Sequence, residues 1–254
     1  MEKIYTIPVN DAYAQSDLCP LCFLKNKAEN DYLEYYLGPS LMEPDTRTQT
    51  NKTGFCPVHM GKLNKSETNR LGLGLMLHTH LKDIKSDLEP KLSKVAPSKG
   101  NLFKGRDGEY KNNLAKLADA IDKRVSSCPI CEKLDFTMDR YSGVIAWMFT
   151  HDKDFKERFA SCKNHCLPHI ADLLRSCASE MNQNEASEFL PLLASGFAAS
   201  IDELIADVEW FTLKFDYRNN DKPWGNSKNS IQRSMRMLSS DRSDFDEKQG
   251  KTNK

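Results

Sequence analysis

The sequence has no surplus of either charge: 36 lysines and arginines stand against 36 aspartates and glutamates in 254 residues. Nucleic-acid binders usually carry a basic excess, so this balance speaks against nucleic acid as the main partner. Long apolar runs are missing too. The first stretch, "MEKIYTIPVNDAYAQSD", lacks the apolar core of a signal peptide. The best membrane candidate, "SGVIAWMF", falls far short of the ~20 residues that a span needs. A cytoplasmic protein without a membrane contact is expected. "LGLG" has neither the GxxxxGK[ST] spacing of a phosphate loop nor a preceding strand. No GxSxG nucleophile elbow occurs. Ser/His/Asp sets stay open, since their members need not be sequence neighbours. Strand signals are sparse, limited to "KIYTIPV" near the start. An enzyme is therefore not the first expectation.

What is present is cysteine in register. The eight cysteines are at 19, 22, 56, 128, 131, 162, 166 and 177. In a cytoplasmic chain they read as ligands or free thiols rather than disulfides. Cys19 and Cys22 form "CPLC", and "CPVH" follows at Cys56 and His59. Cys128 and Cys131 form "CPIC", and "CLPH" follows at Cys166 and His169. The gap between the paired motifs is 33 residues in the first half and 34 in the second, and the copies are offset by 109 and 110. Chance burial imposes no such spacing. Three thiolates and one imidazole suit tetrahedral Zn²⁺, and four protein ligands make a closed, structural site. The pattern predicts two Zn²⁺ per chain, one within each half: Cys19, Cys22, Cys56 and His59 for the first, Cys128, Cys131, Cys166 and His169 for the second. Proline directly after Cys19, Cys56 and Cys128, and two places after Cys166, predicts helix N-termini at all four ligand pairs. There the helix dipole favours thiolate. Gly54 is expected to permit a close approach of the chain before Cys56.

Some residues stay ambiguous at this level. In "SCKNHCLPH", Cys162 or His165 could replace a ligand of the second site, although the repeat phase favours Cys166 and His169. Cys162 and Cys177 otherwise read as packed thiols. His78 and His80, two apart, would point to different helix faces and make a poor chelating pair.

Helical periodicity dominates the rest. Apolar residues from Phe189 to Phe215 predict one long helix over roughly 184–217, Tyr110 to Val125 a second, and Leu71 to Leu88 a third. "HDKDFKERFAS" reads as helical and "LGPSLMEPDTRTQTNKTG" as a loop broken at Pro39 and Pro44. The expected fold is all-α: two related helical units arising from an internal duplication, each stapled by a Cys3His zinc site. The expected boundaries are 1–95 for the first unit, 96–107 for a linker and 108–218 for the second unit. A turn with a docked helix follows over 219–239, with Trp224 as anchor and Ile231, Met235 and Leu238 as its apolar face, and then a disordered tail over 240–254. Residues 82–106 carry a local net charge of +4, read as a solvated linker.

The strings "IYTIPVNDAY", "CPLC", "YYLGPSLMEPDTRTQTNKTGFCPVH", "NRLGLGLMLHTHL" and "FDYRNNDKPWGNS" together resemble an uncharacterised bacterial family, one of the domain-of-unknown-function families. The resemblance spans roughly residues 3–238. It implies a cytoplasmic bacterial protein with paired Cys/His clusters and no established activity, and it carries over no catalytic residues. Three functional classes follow: a zinc-stabilised interaction or adaptor protein with a protein partner, a thiol- or metal-responsive sensor, and an enzyme with a pocket between the repeats.

Overall fold

The computed structural model describes residues 3–15, 18–95 and 109–240. The expected linker at 96–107 and all of the expected tail beyond Ser240 lie outside these residues. Every regular element among the described residues is helical. They are α1 (Thr6–Tyr13), α2 (Pro20–Leu37), α3 (Pro44–Thr53), α4 (Pro57–Lys65), α5 (Arg70–Lys94) and α6 (Glu109–Ser126). After these come α7 (Pro129–His151), α8 (Lys153–Ser161), α9 (Leu167–Glu180), α10 (Gln183–Leu213) and α11 (Ser230–Ser239). The all-α expectation holds.

Two local expectations are corrected. "KIYTIPV" forms no strand: Lys3–Tyr5 is a 3-10 turn that leads into α1. "LGPSLMEPDTRTQTNKTG" is no loop either. Pro39 opens a 3-10 turn (Pro39–Met42), and Pro44 opens α3. Each proline sits in the first turn of an element, where its missing N–H has no helical partner to lose. The prolines start structure here rather than break it.

The chain divides into two compact units, and the cut does not follow the halves of the sequence repeat. A middle unit comprises Glu29–Asp135, and a terminal unit comprises the residues up to Ala28 together with those from Phe136 onward.

In the middle unit, Tyr36, Leu41, Phe55, Leu63, Leu73, Met76 and Ile130 are buried around Cys128. Helix α3 is held to α5 by polar contacts. A guanidinium nitrogen of Arg47 donates to the Leu75 carbonyl at 3.0 Å and to Thr79 Oγ1 at 2.7 Å. Gly54, with φ +68°, ends α3 directly beneath the His80 ring. A Cβ there would lie 2.5 Å from His80 Nε2, so the close approach expected of this glycine is real and His80 is its cause. His80 Nδ1 bonds the Asn51 carbonyl at 2.7 Å, and His78 is exposed, so neither histidine serves a metal cluster.

In the terminal unit the core is aromatic. Phe159 stacks on Phe189 with centroids 4.7 Å apart, Phe149 meets Phe189 edge-on at 5.0 Å, and Tyr13 meets Phe155 at 4.9 Å. Asp152 caps α8, and Asn182 with Glu185 forms a capping box at the start of α10. After α10 the chain turns around the buried Lys214. Its ammonium donates to the carbonyls of Asn219, Asn220 and Lys222 at 2.7–2.9 Å. Trp224 rests beside Phe211, with Lys214 over its ring, which makes it the anchor of the C-terminal turn.

Helix α10 is long and apolar enough to cross a membrane by length and composition. The expectation that no segment approaches a span, with "SGVIAWMF" as the best candidate, is corrected to this extent. Only 22% of the most apolar window of α10 is buried. Phe189, Leu193, Gly196 and Leu204 of α10 are buried, and Gly196 presses its backbone against the Cys162 carbonyl.

Candidate metal centres

All four ligand pairs begin helices, as their prolines predict. Cys19 immediately precedes α2, Cys56 is the N-cap of α4, Cys128 precedes α7 and Cys166 is the N-cap of α9. Each helix start turns its first ligand and the one three residues on towards a single point, since positions i and i+3 share a face.

The eight ligand-type residues form two four-donor groups, but not those expected within each half. One group is Cys19, Cys22, Cys166 and His169, in the terminal unit. The other is Cys56, His59, Cys128 and Cys131, in the middle unit. The expected pairing of each CxxC with the CxxH of its own half is thereby corrected, and the structure shows two groupings without showing a duplication. The arrangement is nested: the outermost motifs close on each other around the inner two. Loop-closure entropy rises by only about 0.6 kcal/mol per doubling of loop length. Joining residues 144 apart, as Cys22 and Cys166 are, costs little more than joining residues some 33 apart. Equal spacing in the two halves therefore identifies ligand motifs but does not decide which of them meet.

The geometry suits a tetrahedral ion. With Zn–S near ~2.3 Å and Zn–N near ~2.0–2.1 Å, a tetrahedron has S···S edges of about 3.8 Å and S···N edges of about 3.6 Å. In the terminal group, Cys22 and Cys166 sulfurs are 3.6 Å apart, and His169 Nδ1 lies 3.4, 3.4 and 3.1 Å from Cys19, Cys22 and Cys166. In the middle group, Cys56 and Cys131 sulfurs are 3.7 Å apart, and His59 Nδ1 lies 3.3 Å from each of Cys56, Cys128 and Cys131. Such edges, with three sulfurs and one Nδ1 in each group, fit Zn²⁺ and leave no donor position open.

Electrostatics point the same way. Hydrogen bonds with Cys166 and Cys19 hold the Cys22 thiol far below its ordinary range, whereas burial pushes Cys19 well up. Burial opposes ionisation of Cys128 most strongly of all, yet the hydrogen bonds from His59 and from the Cys56 and Cys131 backbone together outweigh it and bring that thiol to about 6. Burial alone would lower His59, but its bonds to Cys128 and Glu29 carry it up to about 10; His169 is raised to about 9 against its own burial, by Cys166 and Cys22. Each group thus holds one thiol poised to ionise beside a protonated imidazole, with Cys19 and Cys131 pushed the other way; a bound cation would draw all three sulfurs into the thiolate form.

Sequence reasoning missed the outer supports. Glu29, seven residues after Cys22, accepts from His59 Nε2 at 2.9 Å and from Lys62 Nζ at 2.7 Å. This carboxylate fixes the ring so that Nδ1 faces the sulfurs. Burial would raise the Glu29 carboxyl, but its bonds with His59 and Lys62 bring it down to about 2. Its contribution is therefore complete above about pH 4.5 and is lost as pH falls towards 2. Glu29→Gln should weaken metal binding at the middle site about 10- to 100-fold and leave the terminal site unchanged. Competition with a chromophoric chelator would then show one ion leaving early. In the terminal unit, Ser240 Oγ lies 3.3 Å from Cys22 Sγ, so Ser240 belongs to the ordered body and not to a tail. No single-chain pattern marks either contact.

The remaining ambiguities resolve. Cys162 is the C-cap of α8, outside both groups. His165 is 1% exposed, and its Nε2 meets the Tyr13 hydroxyl at 3.1 Å. Burial keeps its imidazole low, at about 4, and therefore neutral. Cys177 is buried in α9 as a packed thiol. None of the eight cysteines is in a disulfide.

The chain belongs to a family of unknown function, DUF6062, whose profile matches residues 1–245. It is 25% identical over 205 residues to an uncharacterised 23.9 kDa protein in the xynA 3' region of Caldicellulosiruptor sp. strain Rt8B.4, covering 81% of this chain and 86% of that one. No solved structure matches the chain.

Proposed function

We propose that this member of the DUF6062 family holds two structural Zn²⁺ ions, one in each compact unit, and acts in the cytoplasm as a zinc-stabilised interaction protein. The observation that carries the zinc reading is the pair of closed Cys3His groups at four helix N-termini. A closed donor set has no position for substrate or activated water, so each ion would staple helix ends rather than do chemistry. Apolar side chains at the C-terminal end support an interaction role. Ile231, Met235 and Leu238 of α11 lie outward together with Phe215 and Tyr217, the last two 75% and 82% exposed. A photo-crosslinking residue at Leu238 should yield one defined protein adduct in the native cell, and the same probe at exposed Lys111 should not. Equal labelling at both positions, or none at either, would sink the interaction reading.

A sensor role has one observation in its favour: Cys56 and Cys131 are only half-buried, whereas the four donors of the terminal group are all buried. Hydrogen peroxide would then oxidise those two thiolates to a disulfide, with reduction of the peroxide to water and release of the middle ion. A thiol reductant and added Zn²⁺ should reverse the change.

A further inference from the structure

We propose that α11 is a strap seated on the terminal metal centre, so that the ion held by Cys19, Cys22, Cys166 and His169 decides whether this helix, and the apolar face it turns outward, is formed. The proposal rests on the zinc and interaction readings above and adds the control of one by the other.

α11 stops at Ser239, and Ser240 takes φ +70° and ψ 164°. Glycine enters that region freely. Other residues do so under strain, which persists only where the surroundings enforce it. What encloses Ser240 includes the metal group: the residue is 6% exposed, and its Oγ lies 3.3 Å from Cys22 Sγ. A sulfur bound to a metal ion carries no proton, so the hydroxyl would then be the donor of this pair. Outer contacts of this kind orient the ligands and tune the hold on the ion.

Little else holds α11. Among its ten residues only Ser230 and Met237 are buried. Ser230 Oγ and Gln232 Oε1 are buried without a partner among the described residues, so the docked side is poorly satisfied. Arg233 adds its pairing with Asp207 on α10. Met237 borders a cavity of about 110 Å³ whose wall includes Cys19, Cys22 and Cys166, so the buried apolar side chain of α11 also sits at the metal group. A helix this short does not persist undocked. Loss of the ion frees the starts of α2 and α9, and with them the seat of Ser240 and Met237. Ile231, Met235 and Leu238 form one face only while helical spacing aligns them, so unwinding of α11 would dismantle the interaction surface. Linkage makes the effect mutual: the stability that the ion lends the strap, the strap lends the ion.

The test perturbs the strap and reads the ion. Ser234→Pro breaks α11 in its middle, and Ser240→Ala removes only the hydroxyl; both keep all eight donors. The full-length, zinc-loaded proteins are incubated with excess EDTA and iodoacetamide, and peptide mass spectrometry follows alkylation at each cysteine. Labelling of Cys19, Cys22 and Cys166 should become about tenfold faster or more in both variants, while Cys56, Cys128 and Cys131 keep their wild-type rates. The proposal fails if either variant exposes the terminal set at the wild-type rate. It fails equally if both sets quicken alike, because the substitutions would then have loosened the chain in general. A wild type that carries no zinc would overturn the metal reading and the proposal together, whereas two ions with unchanged labelling would overturn the strap alone. No protein partner enters this experiment, so a failed crosslink at Leu238 would remove the interaction reading separately.

Discussion

Cys22→Ser should remove one of two metal ions and unfold the terminal unit, while residues 29–135 keep their ion and their helices. Cys22 Sγ sits 3.4 Å from His169 Nδ1 and 3.6 Å from Cys166 Sγ, on the first turn of α2. A serine hydroxyl is no substitute for a thiolate on Zn²⁺. Structural zinc contributes about 10–16 kcal/mol of apparent binding energy in small zinc modules. That is as large as the whole stability of an ordinary domain, about 5–15 kcal/mol. Without the ion, the helix starts of α2 and α9 would hold a cluster of buried thiols in place of a bond. Hydrogen exchange read by mass spectrometry would locate the loss: fast exchange in α1, α8, α9 and α10, with protection retained in α3, α4 and α5. Two retained ions, or loss of protection confined to the middle unit, would contradict this assignment.

The second large effect is expected at Phe159. It is 1% exposed and lies among Phe189, Phe149, Tyr13 and His165, with centroid separations from 4.7 to 5.9 Å. Truncation removes the centre of this aromatic stack and leaves a cavity that its neighbours, Tyr13, Phe149 and Phe189 on three different helices and His165 in the segment before α9, are poorly placed to fill. Phe159→Ala should cost about 3–5 kcal/mol. Under native conditions the metal content should stay at two, because Phe159 touches His165 and no ligand in the contacts described. Denaturant unfolding followed by near-UV circular dichroism would measure the cost. A loss under about 1 kcal/mol would mean that the aromatic stack is not the core of this unit.

Much of this structure is legible in the sequence, for reasons that differ by residue. The helices announce themselves because apolar residues recur every three or four positions: Glu109–Ser126 and Gln183–Leu213 lie within a few residues of the expected ranges. The eight donors are legible because CxxC and CxxH beside proline is a local pattern, and a helix start is all that is needed to aim two ligands at one point. Pairing is not legible. It depends on which helix ends meet in space, and loop entropy changes too slowly with length to favour the partner nearest in sequence. Glu29 is hidden for the same reason, 30 residues from His59 with no local mark. Pro39 and Pro44 misled because proline both ends and begins helices, and only the following residues tell which. The apolar face expected of α11 is only partly docked: Ile231, Met235 and Leu238 stay exposed, and Met237 is the apolar residue it buries.

The most direct test of the nested pairing is metal stoichiometry in two double variants, by native mass spectrometry under reducing conditions. Cys22→Ser with Cys166→Ser strikes two donors of one group, so one ion should remain. Cys22→Ser with Cys56→Ser strikes one donor in each group, so none should remain. The opposite pattern, no ion in the first variant and one in the second, would show that each half of the sequence binds its own metal and would overturn the arrangement described above.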